Sequence, residues 1–373
     1  MKMIARKRIF DIDEEWKLVR RLLPADWQGK AKELGAISRL RLIDSPEMLL
    51  RILLIHLADG CSLKETSLRV QQLGWGHISS VALFKRLRAA EQWLAWMAHQ
   101  FHAKKHSLET TRTVLAVDAT TVKEPGLTGS LWRVHWSVRL SDMQCTYFAV
   151  TDVHTGEKFS HYPIKSGQLL LADRGYSNPP GVDHVRGMGA HVLIRANPQS
   201  LPMFSRKSGD EIKILKWVKG LKIGRIRSRS AWVKGPEGRW HRGRLIAIKR
   251  SLASTRRELR RRTKNSRFKD RKPTRRTLAM ARYVFVWTSL PGREASAKKV
   301  MEYYRARWQV ELVFKRVKSI MGLGQLPKHS DASSRAWVNG KMLVALLVEK
   351  LWQKAEHFSP WGYGLPKLSK SLA

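Results

Sequence analysis

The stretch Leu169–Ala172, LLLA, is apolar at every position, so any strand it forms belongs in the middle of a sheet covered on both faces. Asp173 ends that run, and Gly175 permits a tight turn just after it. Upstream, Thr113–Val117 reads as a β-favouring run into Asp118, with small hydroxyl residues following. This predicts a strand carrying a carboxylate at its end. LWRVHWSVRL and QCTYFAVTDV read as two more strands, so 113–160 forms an antiparallel three-stranded unit. LLLA is then the fourth strand, a helical piece near Val182 to Met188 follows, and HVLIRAN is the fifth. YVFVWTSLP, from Tyr283, returns as another strand.

Helices flank this sheet on both sides in sequence. PEMLLRILLIHLA, 46–58, follows Ser45 with Pro46 in the first turn, and Ser62 with Glu65 has capping-box spacing before the next helix. A further helix is expected from Val81 to about His99. The order helix, turn, helix suits a DNA-reading element carrying Lys85, Arg86 and Arg88, although two packed helices with a polar face have the same pattern. AWVNGKMLVALLVEKLWQKAE, near the C-terminus, reads as an amphipathic helix over the sheet or at a subunit interface.

Between the fifth strand and Tyr283, residues 196–282 are far too many for a connection, which predicts an inserted domain. EIKILKWVKG, LKIGRIRSRSAWVKG and RLIAIKRS read as its strands. From Arg256 to Arg276, 12 of 21 residues are Lys or Arg, a density that repels itself unless an anion is near. The whole chain of 373 residues has 71 Lys plus Arg against 30 Asp plus Glu, a net charge of +41. Such an excess points to a polyanion, most simply nucleic acid, and away from ordinary metabolite enzymes. Cys61 and Cys145 cannot by themselves form a zinc cluster, the His residues show no paired-ligand spacing, and no signal peptide or apolar span is evident. A cytoplasmic location, with nucleoid association, is the expectation.

Tyr304 to Lys318, YRARWQVELVFKRVK, has no Gly or Pro and places Val310, Val313, Phe314 and Val317 on one helical face. Beside that face lie Tyr304, Arg307, Glu311, Lys315 and Lys318, one carboxylate among cations. An i,i+4 salt bridge on an ordinary helix would look the same. The spacing Tyr304, Arg307, Glu311, Lys318 nevertheless resembles the Y-R-E-K signature of insertion-sequence transposases of the type 4 family, and DRGY at Asp173 is also familiar from that family.

The resemblance implies an α/β fold: a ribonuclease-H-like catalytic core at 109–195 and 283–325, a β-rich basic insertion domain at 196–282, a helical DNA-binding domain at 1–108 and a helical segment at 326–373. It implies that Asp118, Asp173 and Glu311 are catalytic and hold Mg²⁺, with Mn²⁺ substituting. It further implies that Tyr304, Arg307, Trp308, Lys315 and Lys318 contact double-stranded DNA, that Tyr283 or Trp287 is a candidate to receive a flipped base, and that the protein works as a homodimer on DNA. One departure stands out: only HTGEKFSHYPIKSGQ separates the third strand from the fourth, where the family has a longer segment. The activity expected is metal-dependent cleavage of transposon ends and cut-and-paste strand transfer. A descendant that binds DNA without cutting, and a nuclease that does not join strands, are the competing readings.

Overall fold

The computed structural model describes residues 15–37, 43, 45–101, 112–123, 130–207, 209–268, 272–307, 322, 323, 326 and 331–356. Helices lead, among them α1 (Trp27–Glu33), α2 (Pro46–Leu57), α3 (Leu63–Gln72), α4 (Ser80–Ala89) and α5 (Glu91–Gln100). The Ser45 hydroxyl caps α2, and Ser62 with Glu65 forms the full capping box on α3, so local chemistry starts both helices where the sequence places them. The single helix expected from Val81 to His99 is instead two, α4 and α5, which meet at Ala90.

One eight-stranded sheet organises the rest. Its strands are β1 (Val114–Lys123), β2 (Ser130–Arg139), β3 (Cys145–Asp152), β4 (Leu169–Ala172), β5 (His191–Arg195), β6 (Ile226–Lys234), β7 (Trp240–Lys249) and β8 (Tyr283–Thr288). They lie in the order β3-β2-β1-β4-β5-β8-β7-β6. β1, β2 and β3 form an antiparallel meander; β4 and β5 run parallel to β1. β8, β7 and β6 continue antiparallel beyond β5. The strands of 196–282 therefore extend the central sheet rather than standing apart from it. EIKILKWVKG is not a strand: Ile214–Trp217 is a single helical turn, with Ile214 buried.

All four residues of β4 are buried, as its composition demands. Leu169 and Leu171 join one core with the N-terminal helices and α10 (Asp331–Glu356); Leu170 and Ala172 join a second, with α6 (Pro179–Gly187) and the 201–221 segment. α10 packs on α5, α4, α2 and β3, and Gly340 allows contact with α2: a Cβ there would fall 2.5 Å from a Leu57 methyl. Between β7 and β8 lie α7 (Leu252–Phe268) and α8 (Arg275–Met280), and after β8 comes α9 (Ala297–Ala306), capped by Ser296. No helix among the described residues is long and apolar enough to cross a membrane.

At the α10–β3 contact the Cys145 N–H donates to Glu349 Oε1 at 3.2 Å. Burial raises the Glu349 carboxyl to about 7; the Cys145 N–H and Lys350 pull it down and Asp142 pushes it up. The folded chain thus keeps a proton that the unfolded chain loses near its ordinary value, so stability falls as pH rises between those values. Glu349→Gln should raise the melting temperature at about pH 8 by the equivalent of about 2 kcal/mol and change it little near pH 5. Equal shifts at both pH values would contradict this origin.

Candidate active site

The parallel pairing of β1 with β4 matches Ala116 with Leu171, so two residues on, Asp118 comes level with Asp173. The pairing of β4 with β5 matches Ala172 with Ile194 and brings Arg195 level with Asp173. Side chains alternate along a strand. Ala116, Leu171 and Leu193 face the first core, so Asp118, Asp173 and Arg195 form a row on that face across three strands. Asp118 is not at the end of its strand as expected, because the β-favouring ATTV that follows keeps β1 paired with β2 as far as Lys123. The parallel ladder to β4 is what stops short, at the Ala116–Leu171 pair.

Asp173 is held by its own turn. Its Oδ1 accepts from the Gly175 N–H at 2.6 Å, capping the helical turn Arg174–Tyr176 that DRGY forms. That geometry fixes the carboxylate beside Asp118. Asp118 Oδ1 accepts from the Ala119 N–H at 2.9 Å, and Oδ2 stands 3.8 Å from Arg307 Nη1. Burial raises the Asp118 carboxyl to about 7; the Arg307 charge opposes this and Asp173 adds to it.

Arg307 caps the C-terminal end of α9 and is 7% exposed. Its guanidinium lies 5.7 Å from the Tyr304 ring centroid, a cation–π distance. It lies against Asp118 and brings α9 there four residues before Glu311 in sequence. Trp308, Glu311, Lys315 and Lys318 lie outside the described residues, as does the helix expected over them. Of the two aromatic candidates, Trp287 is fully buried and its indole N–H donates to the Ala231 carbonyl at 3.2 Å, which makes it a core residue. Tyr283 is half-buried beside Phe285.

Two residues beside the pair, Glu157 and Tyr162, escaped sequence reasoning. Glu157 leans over the DRGY turn: a Cβ on Gly175 would fall 2.0 Å from Glu157 Oε2 and 3.1 Å from Asp173 Oδ1. Burial raises its carboxyl and Asp173 raises it further. The Tyr162 hydroxyl donates to the Asp118 carbonyl at 2.9 Å and pairs with the Tyr176 hydroxyl at 2.8 Å, tying β1 to the turn after Asp173. Tyr176 is the Y of DRGY, so its motif was visible while its buried partner was not. Neighbouring carboxylates of this kind suit a hard divalent cation, which takes oxygen donors. Among the described residues no group of three or more His, Cys, Asp or Glu is placed to hold a metal ion.

The family described as Transposase DDE domain matches residues 109–347, which spans every strand of the sheet and the Asp118–Asp173 pair. The chain belongs to the DDE transposase family. Across 357 residues the transposase is 30% identical to the putative transposase InsL for insertion sequence element IS186A of Escherichia coli K12, covering 92% of this chain and 95% of that protein. It is also 30% identical over 358 residues to the transposase for insertion sequence element IS421 of Escherichia coli, with the same coverage. The transposase thus shares nearly its full length with insertion-sequence enzymes.

Proposed function

We propose that this transposase cleaves the ends of its own element and transfers them into target DNA by a cut-and-paste route, with Asp118, Asp173 and Glu311 as its catalytic carboxylates. The observation that carries the reading is the β1–β4 register, which pairs Ala116 with Leu171 and, carried on two residues, brings Asp118 level with Asp173, whose charge acts on the Asp118 carboxyl. Five strands with β1 to β3 antiparallel and β4 and β5 parallel to β1 support a ribonuclease-H-like core. The net charge of +41 supports DNA as partner.

Asp118, Asp173 and Glu311 would hold a pair of divalent ions, Mg²⁺ or Mn²⁺, which when bound would neutralise charge on the attacking and departing oxygens of a phosphodiester. Asp118 would hold such an ion as a carboxylate, and without one, burial and Asp173 favour its protonated form. Asp173 is oriented by the Gly175 N–H, and the backbone of Asp118 by Tyr162, so neither must be ordered during reaction. Arg307 balances Asp118 in the absence of DNA. On DNA, Tyr304, Arg307, Trp308, Lys315 and Lys318 contact the strand leading to the carboxylates. The chemistry is hydrolysis that frees a 3′ hydroxyl, followed by attack of that hydroxyl on target phosphorus with departure of the target 3′ oxygen. Residues 1–108 grip the end sequence, residues 196–282 add phosphate contacts, and the working unit is a homodimer.

The test is cleavage, in Mg²⁺ or Mn²⁺, of DNA carrying the element's ends, with the intact protein and Glu311→Ala side by side. Loss of cleavage with retained end binding is the expected result. Equal cleavage by both would remove Glu311 from the active site, and tight end binding without any cleavage by the intact protein would favour a noncatalytic DNA-binding role.

A further inference from the structure

Next to Asp173, five arginines converge on one glutamate. Glu258, on α7, is 8% exposed. Its Oε1 accepts from Arg262 Nε at 2.9 Å and lies 3.9 Å from Arg195 Nη2, while its Oε2 is 3.1 Å from Arg261 Nη2. Burial pushes the Glu258 carboxyl up, but the hydrogen bonds from Arg262 and Arg261 and the charges of Arg261 and Arg195 outweigh this and hold it at about 2. Arg262 also donates to the Thr277 carbonyl at 3.1 Å, and Arg250 to the Ser254 hydroxyl at 3.2 Å. The remaining member, Arg174, follows Asp173 directly in the DRGY turn.

This arrangement is unbalanced as it stands. Arg174 feels Arg195, Arg262 and Arg261 as like charges, and Arg250 feels Arg195, Arg262 and Arg261. One carboxylate cannot neutralise five guanidiniums, and grouping them in a partly desolvated recess costs energy unless an anion enters. The Nε atoms of Arg174 and Arg250 are buried with no hydrogen-bond partner among the described residues, so the recess holds donors to spare. Its location is set by the sheet: Arg195 stands level with Asp173 on the same face, one strand further from Asp118.

We infer that Arg174, Arg195, Arg250, Arg261 and Arg262 form a binding site for a backbone phosphate of the DNA strand entering the Asp118–Asp173 site, with Glu258 as the positioning residue that holds three of the guanidiniums in register. The inference rests on the reading that the carboxylates act on DNA. Guanidinium forks match phosphate oxygens in pairs, which explains arginine rather than lysine at every position. It also accounts for the basic character of α7, because Arg261 and Arg262 reach the strand beside the carboxylates and Glu258 fixes where.

The experiment uses the full chain and a fluorescent duplex carrying the element's end, with affinity measured across a salt series. A parallel series replaces single phosphates by neutral methylphosphonates. Arg195→Gln should lower the salt slope by about 0.9, the share of one phosphate, and should erase the penalty of one methylphosphonate near the cleaved bond. Arg195→Lys should keep most of the slope. Glu258→Gln, which leaves all five guanidiniums in place, should weaken binding roughly tenfold and blur that same phosphate position. Arg262→Gln, checked for folding by circular dichroism, provides a second variant. An unchanged slope and an unchanged methylphosphonate profile in folded Arg195→Gln and Arg262→Gln would overturn the site. Asp173→Asn separates the two claims: normal cleavage by that variant breaks the catalytic reading, whereas an inactive Asp173→Asn with no slope change in the arginine variants breaks this one alone.

Discussion

Asp118→Asn should lose end cleavage by at least about three orders of magnitude, equivalent to about 4 kcal/mol of transition-state stabilisation, while making the metal-free protein more stable. The two effects have one cause. Burial, Asp173 and Glu157 push the Asp118 carboxyl up, and the Arg307 charge at 3.8 Å and the Ala119 N–H oppose them. An amide keeps the shape and the acceptor for the Ala119 N–H but removes the charge. It therefore relieves the site at neutral pH, by about 1–2 kcal/mol, and forfeits what the charge was kept for. Thermal melts near pH 8 without divalent ions, together with single-turnover cleavage, measure both. A variant that is inactive and also less stable would point to a structural role for Asp118 instead.

Gly243→Ala should destabilise the fold by about 3 kcal/mol although it adds a single methyl group. Gly243 faces Ala231 in the β6–β7 pair, and a Cβ there would fall 2.3 Å from the Trp287 ring and 2.6 Å from the Thr288 carbonyl. Neither neighbour can yield. Trp287 is fully buried and hydrogen-bonded to Ala231, and Thr288 is backbone of β8 in ladders on both sides. Urea unfolding reads the effect, and the double variant with Trp287→Phe should recover part of it, because the atoms in conflict belong to the indole. A loss below about 0.5 kcal/mol, the scale of ordinary surface changes, would show that β7 and β8 are less tightly joined than the geometry requires.

The sequence carried what repeats or caps. LLLA announces a strand covered on both faces, and Ser45, Ser62 and Glu65 announce helix starts; each is local chemistry that one window contains. Composition and pattern showed Asp118 and Asp173 as two separate acidic residues near strands, and only the family resemblance joined them, since their adjacency depends on a parallel register between segments 55 residues apart in sequence. The same limit explains β6 and β7: their strand character is local, but their joining the central sheet depends on β8, which lies beyond α7 and α8. EIKILKWVKG misled because its short run of apolar residues fits a helical turn as well as a strand. Glu157, Tyr162 and Glu258 carry no periodic signal at all, and their meaning comes from neighbours supplied by the fold.

The central claim is that Asp118, Asp173 and Glu311 converge on the same divalent ions. Replacing Mg²⁺ by Fe²⁺ in the DNA-bound protein and adding ascorbate and peroxide cuts the backbone wherever it passes the metal. Cuts should cluster near residues 118, 173 and 311, and disappear on competition with excess Mg²⁺. Cuts at 118 and 173 without one near 311, or cuts elsewhere that Mg²⁺ does not suppress, would contradict the assignment.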